Sequence, residues 1–129
     1  TDDVRRRVEA MTGAGRTVVA VGEGNVVCGL ISLADAVRPG ARAAVQALRE
    51  AGVEHIVMLT GDNAATARAV GREVGVDDVR AELLPAEKVA AVESLVARFG
   101  VAAMVGDGVN DAPALARATV GVAMGAAGT

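Results

Sequence analysis

The chain opens with apolar positions spaced one helical turn apart. Val4, Val8 and Met11 share a face among charged neighbours. Asp2 or Asp3 stands where a helix cap is wanted, so a first helix is predicted, ending at Gly13 and Gly15. The period then shortens. Thr17 to Val21 and Val26 to Leu33 are β-rich runs, and Gly22-Glu23-Gly24-Asn25 between them predicts a hairpin. Gly22 and Gly24 do not read as a dinucleotide loop, because the run that follows is β-branched and not helical. Residues 34 to 40 break the pattern, with Pro39 and Gly40 as punctuation.

From there helical and strand-like segments alternate. Ala41 to Ala51 is helical and stops at Gly52; Ala64 to Val74 is helical and stops at Gly75. Pro85 to Phe99 carries Val89, Val92 and Val96 on one face and stops at Gly100. A short helix is predicted over Pro113 to Ala118. Strands are predicted at Ile56 to Leu59, Val79 to Ala81, Val101 to Val105 and Val120 to Met124. Alternating helices and fully apolar strands predict an α/β fold, with buried parallel strands covered by helices. A boundary near Ala34 separates the helix and hairpin from this alternating region.

Composition narrows the picture. The chain has 129 residues, enough for one modest core. The formal net charge is −3, which gives no electrostatic case for nucleic acid as a partner. Apolar residues make up 52 %, mostly Ala and Val. No unbroken apolar stretch approaches the roughly 18 residues of a membrane span. Asp2 and Asp3 stand where a signal peptide needs positive charge. Cys28 is the only cysteine, so no internal disulfide can form. It is expected as a small core residue, and the single His55 as structural or exposed. The absence of an initiator Met and the MGAAGT ending predict a piece of a longer chain.

Residues 104 to 115 read MVGDGVNDAPAL. Asp107, Asn110 and Asp111 follow an apolar run within five positions, with no basic residue among them. Neighbouring carboxylates repel unless something positive lies between them. A hard cation such as Mg²⁺, which accepts one or two protein carboxylates, suits that arrangement. Asp111 as a mere cap ahead of Pro113 is the plainer alternative, but it leaves Asp107, between Gly106 and Gly108, unexplained. The glycines allow a ligand to approach closely. Thr60-Gly61-Asp62-Asn63 directly follows a predicted strand, and its hydroxyl, glycine N–H and helix start suit a phosphate. Capping of the next helix by Asp62 or Asn63 is the alternative there. Lys88 falls in the first turn of a helix, where the dipole disfavours a cation, so it is either simply solvated or aimed at a bound anion. In open α/β sheets such groups collect beyond the carboxyl ends of strands. Together they are equipment for phosphoryl transfer, which relies on positioning and charge neutralisation. No nucleophile accompanies them, and no Walker-type loop is present.

These residues resemble a known family. GDGVND within MVGDGVNDAPAL is similar to the hinge motif of P-type ATPases, and LTGDN at 59 to 63 to a second motif of their phosphorylation domain. Asp35-Ala36-Val37-Arg38-Pro39 resembles the segment that links their nucleotide and phosphorylation domains. Order and spacing agree along nearly the whole chain. The resemblance implies the haloacid dehalogenase-like fold, a Rossmann-like parallel sheet with flanking helices. Residues 1–34 would be the end of the nucleotide-binding domain and residues 35–129 most of the phosphorylation domain. It also implies roles. Asp107 would ligate Mg²⁺, while Asp111 would support the metal site and orient Lys88. Lys88 would neutralise the phosphoryl group. Thr60 and Gly61 would hold its oxygens with help from Asn110, and Asp35 and Asp62 would lie near ATP.

The family's DKTGT motif, which carries the phosphorylated aspartate, does not occur in this sequence. The expected identity is therefore part of an ATP-driven heavy-metal cation pump, and the isolated chain is expected to be inactive. Its partners would be ATP, the rest of the parent ATPase and, through a membrane domain, the transported cation. It would sit at the cytoplasmic face of a membrane. LISLADAVRPGA and VAMGAAGT are similar to the heavy-metal branch, closer to zinc, cadmium and cobalt members than to copper members. Two other readings compete: a soluble Mg²⁺-dependent phosphatase of the same superfamily, and a non-catalytic phosphate- or nucleotide-binding domain. The resemblance also implies that a strand is missing between those ending at Leu59 and Val105. Direct pairing of these two, a strand borrowed from another copy, or loose packing is expected in its place.

Overall fold

A computed structural model describes residues 2–14, 16–33 and 36–125. Among these residues the elements are α1 (Asp2–Gly13), β1 (Thr17–Glu23), β2 (Val26–Leu33), α2 (Ala41–Glu50), β3 (Val57–Leu59), α3 (Ala64–Val74), β4 (Asp78–Arg80), α4 (Pro85–Phe99), β5 (Ala103–Asp107), α5 (Ala112–Leu115) and β6 (Val120–Met124), alternating after residue 40 as the sequence predicts. The chain divides into two compact units, one of Thr1–Met58 with Asp62–Glu82, the other of Leu59–Gly61 with Leu83–Thr129. The expected boundary at 34/35 falls on residues outside those described.

In the first unit, β1 and β2 form an antiparallel hairpin closed by the two residues Gly24 and Asn25, with Glu23 opposite Val26. Gly24 supplies the positive φ, 57°, that so tight a turn requires. The turn is shorter than the four residues read from the sequence, because Gly22 and Glu23 pair within β1. Helix α1 packs on this hairpin and against α3, and α2 packs against α3. Arg49 of α2 donates to the Gly75 carbonyl at 2.8 Å and to Asp77 Oδ1 at 2.9 Å. Asp77 in turn accepts the Ile56 N–H at 2.8 Å, while the Asp77 N–H donates to the Ile56 carbonyl. This clasp ties the end of α2 to the turn before β4. Buried Ala67 and Gly71 turn α3 inward. A methyl on Gly71 would stand 2.4 Å from Val79 Cγ2, so β4 lies against the helix backbone.

In the second unit, β5 and β6 run parallel, in register from Ala103 opposite Val120 to Asp107 opposite Met124. Helix α5 packs on both strands, and α4 packs on α5. The small core here is Ala91, Val92 and Ala114. The predicted face of α4 is present, with Val92 buried and Val89 and Val96 half-buried. Helices α2, α3 and α4 give way at Gly52, Gly75 and Gly100, all with positive φ, as the sequence predicts.

Three expectations are corrected. The strand over 101–105 begins later and continues through Asp107, because its ladder with β6 extends to that residue. The strands are not buried on both faces: β6 is exposed throughout, and Val105 is 59 % exposed. Among the described residues each sheet has two strands, too few to cover its own faces. Cys28 is likewise exposed and not in a core. Among the described residues, β3 pairs with β4 and β5 with β6. Of the three arrangements expected there, direct pairing of β3 with β5 is not among the ladders of the described residues.

Candidate functional site

The second unit brings several predicted site residues together. Lys88 Nζ donates to Asp111 Oδ1 at 2.8 Å, and both side chains are largely withdrawn from solvent. The Asp107 N–H donates to Asp111 Oδ2 at 3.1 Å. Asp111 thus joins the first turn of α4 to the last residue of β5. It occupies the N-cap position of α5, but its side chain makes no cap bond there. The plain capping reading of Asp111 is therefore not what its carboxylate does. The Lys88 hydrogen bond holds the Asp111 carboxyl below its ordinary value of 3.8. Burial opposes that shift, and the Asp107 N–H and the lysine charge reinforce it.

Asp107 is placed differently. Its Oδ1 accepts the Val109 N–H at 2.7 Å and, at 3.4 Å, the Asn110 N–H. Its Oδ2 accepts the Asn110 side-chain amide at 3.3 Å. All of these donors are neutral, and the residue is exposed at a strand end. A carboxylate fixed by neutral donors keeps spare lone pairs. That is a donor set suited to Mg²⁺, which takes few protein carboxylates and keeps waters. Asp107 would be the direct ligand, with Asp111 behind it. Among the described residues no cluster of three or more His, Cys, Asp or Glu side chains forms a protein-only metal cage.

Neither Gly106 nor Gly108 has a left-handed backbone. A Cβ on Gly106 would lie 2.7 Å from Asp111 Oδ2 and 3.0 Å from Asp111 Cβ. Gly106 therefore makes room for the Asp111 carboxylate. Gly108 faces the Ala123 methyl, 3.2 Å from where its own Cβ would stand.

Thr60 and Gly61 also belong to the second unit. Thr60 is half-buried, and its carbonyl accepts the Leu83 N–H at 3.0 Å. The Leu83 carbonyl lies 3.4 Å from the Cβ position of Gly61. Sequence reasoning missed Leu83, because a backbone donor leaves no mark in side-chain identity. Asp62 lies in the first unit, where its carbonyl accepts the Glu82 N–H at 2.9 Å. The cap of α3 is Asn63, whose Oδ1 accepts the Thr66 N–H at 2.9 Å. Asp62 is thereby left out of that capping role. Asp35 lies outside the described residues. His55 is exposed, one of its two expected settings.

Comparison with known proteins bears on this geometry. Residues 2–119 match the haloacid dehalogenase-like hydrolases. A probable cadmium-transporting ATPase of Listeria monocytogenes is 46 % identical over 129 residues, covering 100 % of this chain and 18 % of its own length. A copper-transporting P-type ATPase of Rhizobium leguminosarum bv. viciae is 49 % identical over 119 residues, 92 % of this chain and 14 % of its own. A zinc-transporting PIB-type ATPase solved in its E2.Pi state superposes with a TM-score of 0.76 at 42 % identity. That match covers 96 % of this chain and 20 % of the solved one. The chain thus spans under a fifth of these curated relatives.

Proposed function

The chain belongs to the haloacid dehalogenase-like hydrolase family, and from that premise we propose that it forms most of the phosphorylation domain of a heavy-metal-transporting P-type ATPase. Residues 1–34 are then the end of the nucleotide-binding domain and 35–129 the phosphorylation domain. The relatives are heavy-metal pumps that align along almost all of this chain. Their names include cadmium, copper and zinc, and their identities of 46 %, 49 % and 42 % do not rank one metal over another. ATP phosphorylates an aspartate outside this chain, and turnover of that phosphate drives the cation across the membrane. Among the described residues no helix is long and apolar enough to cross a membrane. The domain works at the cytoplasmic face.

The observation that carries this reading is the chain of contacts from Lys88 through Asp111 to Asp107, at 2.8 and 3.1 Å. It holds a cation and a carboxylate of separate function in fixed relation. Asp107 would hold Mg²⁺, which would supply charge neutralisation at the phosphoryl oxygens. Lys88 neutralises the same group from the start of α4. Asp111 keeps Lys88 aimed, and Asn110 steadies Asp107. The Thr60 hydroxyl and the Gly61 N–H hold phosphoryl oxygens. Asp35 and Asp62 are assigned to ATP by the family resemblance alone. All of these are positioning and electrostatic tasks, which dominate phosphoryl transfer.

The test is Asp107→Asn in the full-length parent, followed as phosphoenzyme formed from ATP across a range of Mg²⁺ concentrations. Losing the ligand's charge should raise the required Mg²⁺ by about tenfold or more, or abolish the phosphoenzyme. An unchanged Mg²⁺ dependence with normal phosphorylation removes Asp107 from the metal site.

A further inference from the structure

Glu82 is the one described non-glycine residue with a left-handed backbone, at φ 58°. That region crowds Cβ against a neighbouring carbonyl, and residues other than Gly, Asn and Asp visit it seldom. A fold keeps such a residue only where surrounding bonds over-determine it. Here the Glu82 N–H donates to the Asp62 carbonyl at 2.9 Å, and the next N–H, of Leu83, donates to the Thr60 carbonyl at 3.0 Å. The third N–H, of Leu84, is taken by Glu87 Oε2 at 2.7 Å. The Leu84 carbonyl accepts the N–H groups of Glu87 and Lys88, each at 3.0 Å. Three successive amides are thus committed. The first two serve the loop after β3, and the third serves the helix that carries Lys88. The Glu82 side chain itself is exposed.

We propose that Glu82 is a positioning residue for the phosphate-holding loop. Its left-handed backbone, and not its carboxylate, aims the Leu83 N–H at the Thr60 carbonyl. Thr60 and Gly61 are thereby fixed relative to the first turn of α4, where Lys88 stands. The inference rests on the proposed role of Thr60 and Gly61 toward phosphate. It predicts that any residue at ease with positive φ can replace Glu82, and that a β-branched one cannot.

The experiment titrates orthovanadate, a mimic of inorganic phosphate, as an inhibitor of ATP hydrolysis by the full-length parent ATPase. Thr60→Ala serves as the reference for the loop and should weaken vanadate. Glu82→Val should weaken it by about tenfold or more, as misplacement of a positioning loop does. Glu82→Gly and Glu82→Asn should retain wild-type affinity. Apparent affinity belongs to the folded molecules, so loss of folded protein alone does not move it. If Glu82→Val gives no folded enzyme, the Gly and Asn variants decide. Weakening in both assigns the role to the carboxylate and overturns the proposal. Unchanged affinity in Glu82→Val beside weakened affinity in Thr60→Ala overturns it as well. Unchanged affinity in Thr60→Ala overturns the phosphate role of the loop itself, and the inference with it.

Discussion

Lys88 Nζ stands 2.8 Å from Asp111 Oδ1, joining residues 23 positions apart in sequence. The contact explains a cation in the first turn of a helix, where the dipole alone disfavours one. It also explains why Asp111 does not cap α5. Both side chains are mostly shielded, at 22 % and 15 % exposure, so each depends on the other for compensation.

That dependence predicts coupling. Lys88→Met and Asp111→Asn should each destabilise the fold, and the double variant should lose less than the sum of the two. The coupling energy should be about 1–3 kcal/mol, read from urea unfolding of the four proteins in the cycle. Strict additivity would show that the pair contributes no interaction of its own.

The chain alone should not form a phosphoenzyme with ATP and Mg²⁺. It holds groups that neutralise charge, but the DKTGT motif is absent from its sequence, and stabilisation without a nucleophile forms no covalent bond. Acid-stable incorporation of label from γ-labelled ATP is the measurement, and incorporation above background would refute the expectation.

Asp77 should give stability a pH dependence. Its carboxyl is held below 3.8, first by the Arg49 hydrogen bond and then by the Ile56 N–H; burial opposes these, and the charges of Arg49 and His55 add to them. A carboxyl with a depressed folded value stabilises the fold above its unfolded value, and the contribution fades as pH falls through the folded one. Asp77→Asn should therefore lower the urea midpoint at pH 6. The gap to wild type should shrink below pH 3.8, where the wild-type carboxyl also becomes protonated. A gap that stays constant across that range would mean that charge at Asp77 plays no part.

Gly106→Ala tests the close packing beneath Asp111. The added methyl would meet Asp111 Oδ2 at 2.7 Å and must push the carboxylate off the Asp107 N–H. Overpacking of this kind costs about 1–3 kcal/mol. In the full-length parent, phosphoenzyme formation should fall with it. Wild-type unfolding and phosphorylation in this variant would show that the neighbourhood yields freely.

Much of the framework was legible in sequence. Helices α3 and α4 run over the predicted residues because apolar spacing and the stops at Gly75 and Gly100 agree. Strand ends were less legible. Gly106 and Asp107 have poor intrinsic β preference, yet pairing with Ala123 and Met124 draws both into β5. Burial was not legible for β5 and β6, since apolar content states what a strand can tolerate and not what covers it. The pairing of Asp107 with Asp111 was read from their spacing, whereas the orienting of Lys88 by Asp111 came from the family resemblance, because 23 residues separate the two in the chain. Nothing in the letters marks Glu82 as left-handed, because glutamate carries no signature for that conformation.

The register of β5 against β6 has a consequence for insertions and deletions. Asp107 occupies the final rung, opposite Met124, and successive strand residues point to opposite faces. Removing one residue from 103–105 would turn the carboxylate over while leaving the segment's composition almost unchanged. Exchanging Val105 for Ile would leave it where it is. The stretch is thus a spacer whose count matters more than its content. The Gly24-Asn25 turn, at the tip of the hairpin in the other unit, is where an added residue should be absorbed. Deletion and insertion libraries, scored by the fraction of folded protein and by phosphoenzyme formation in the full-length parent, would separate the two behaviours.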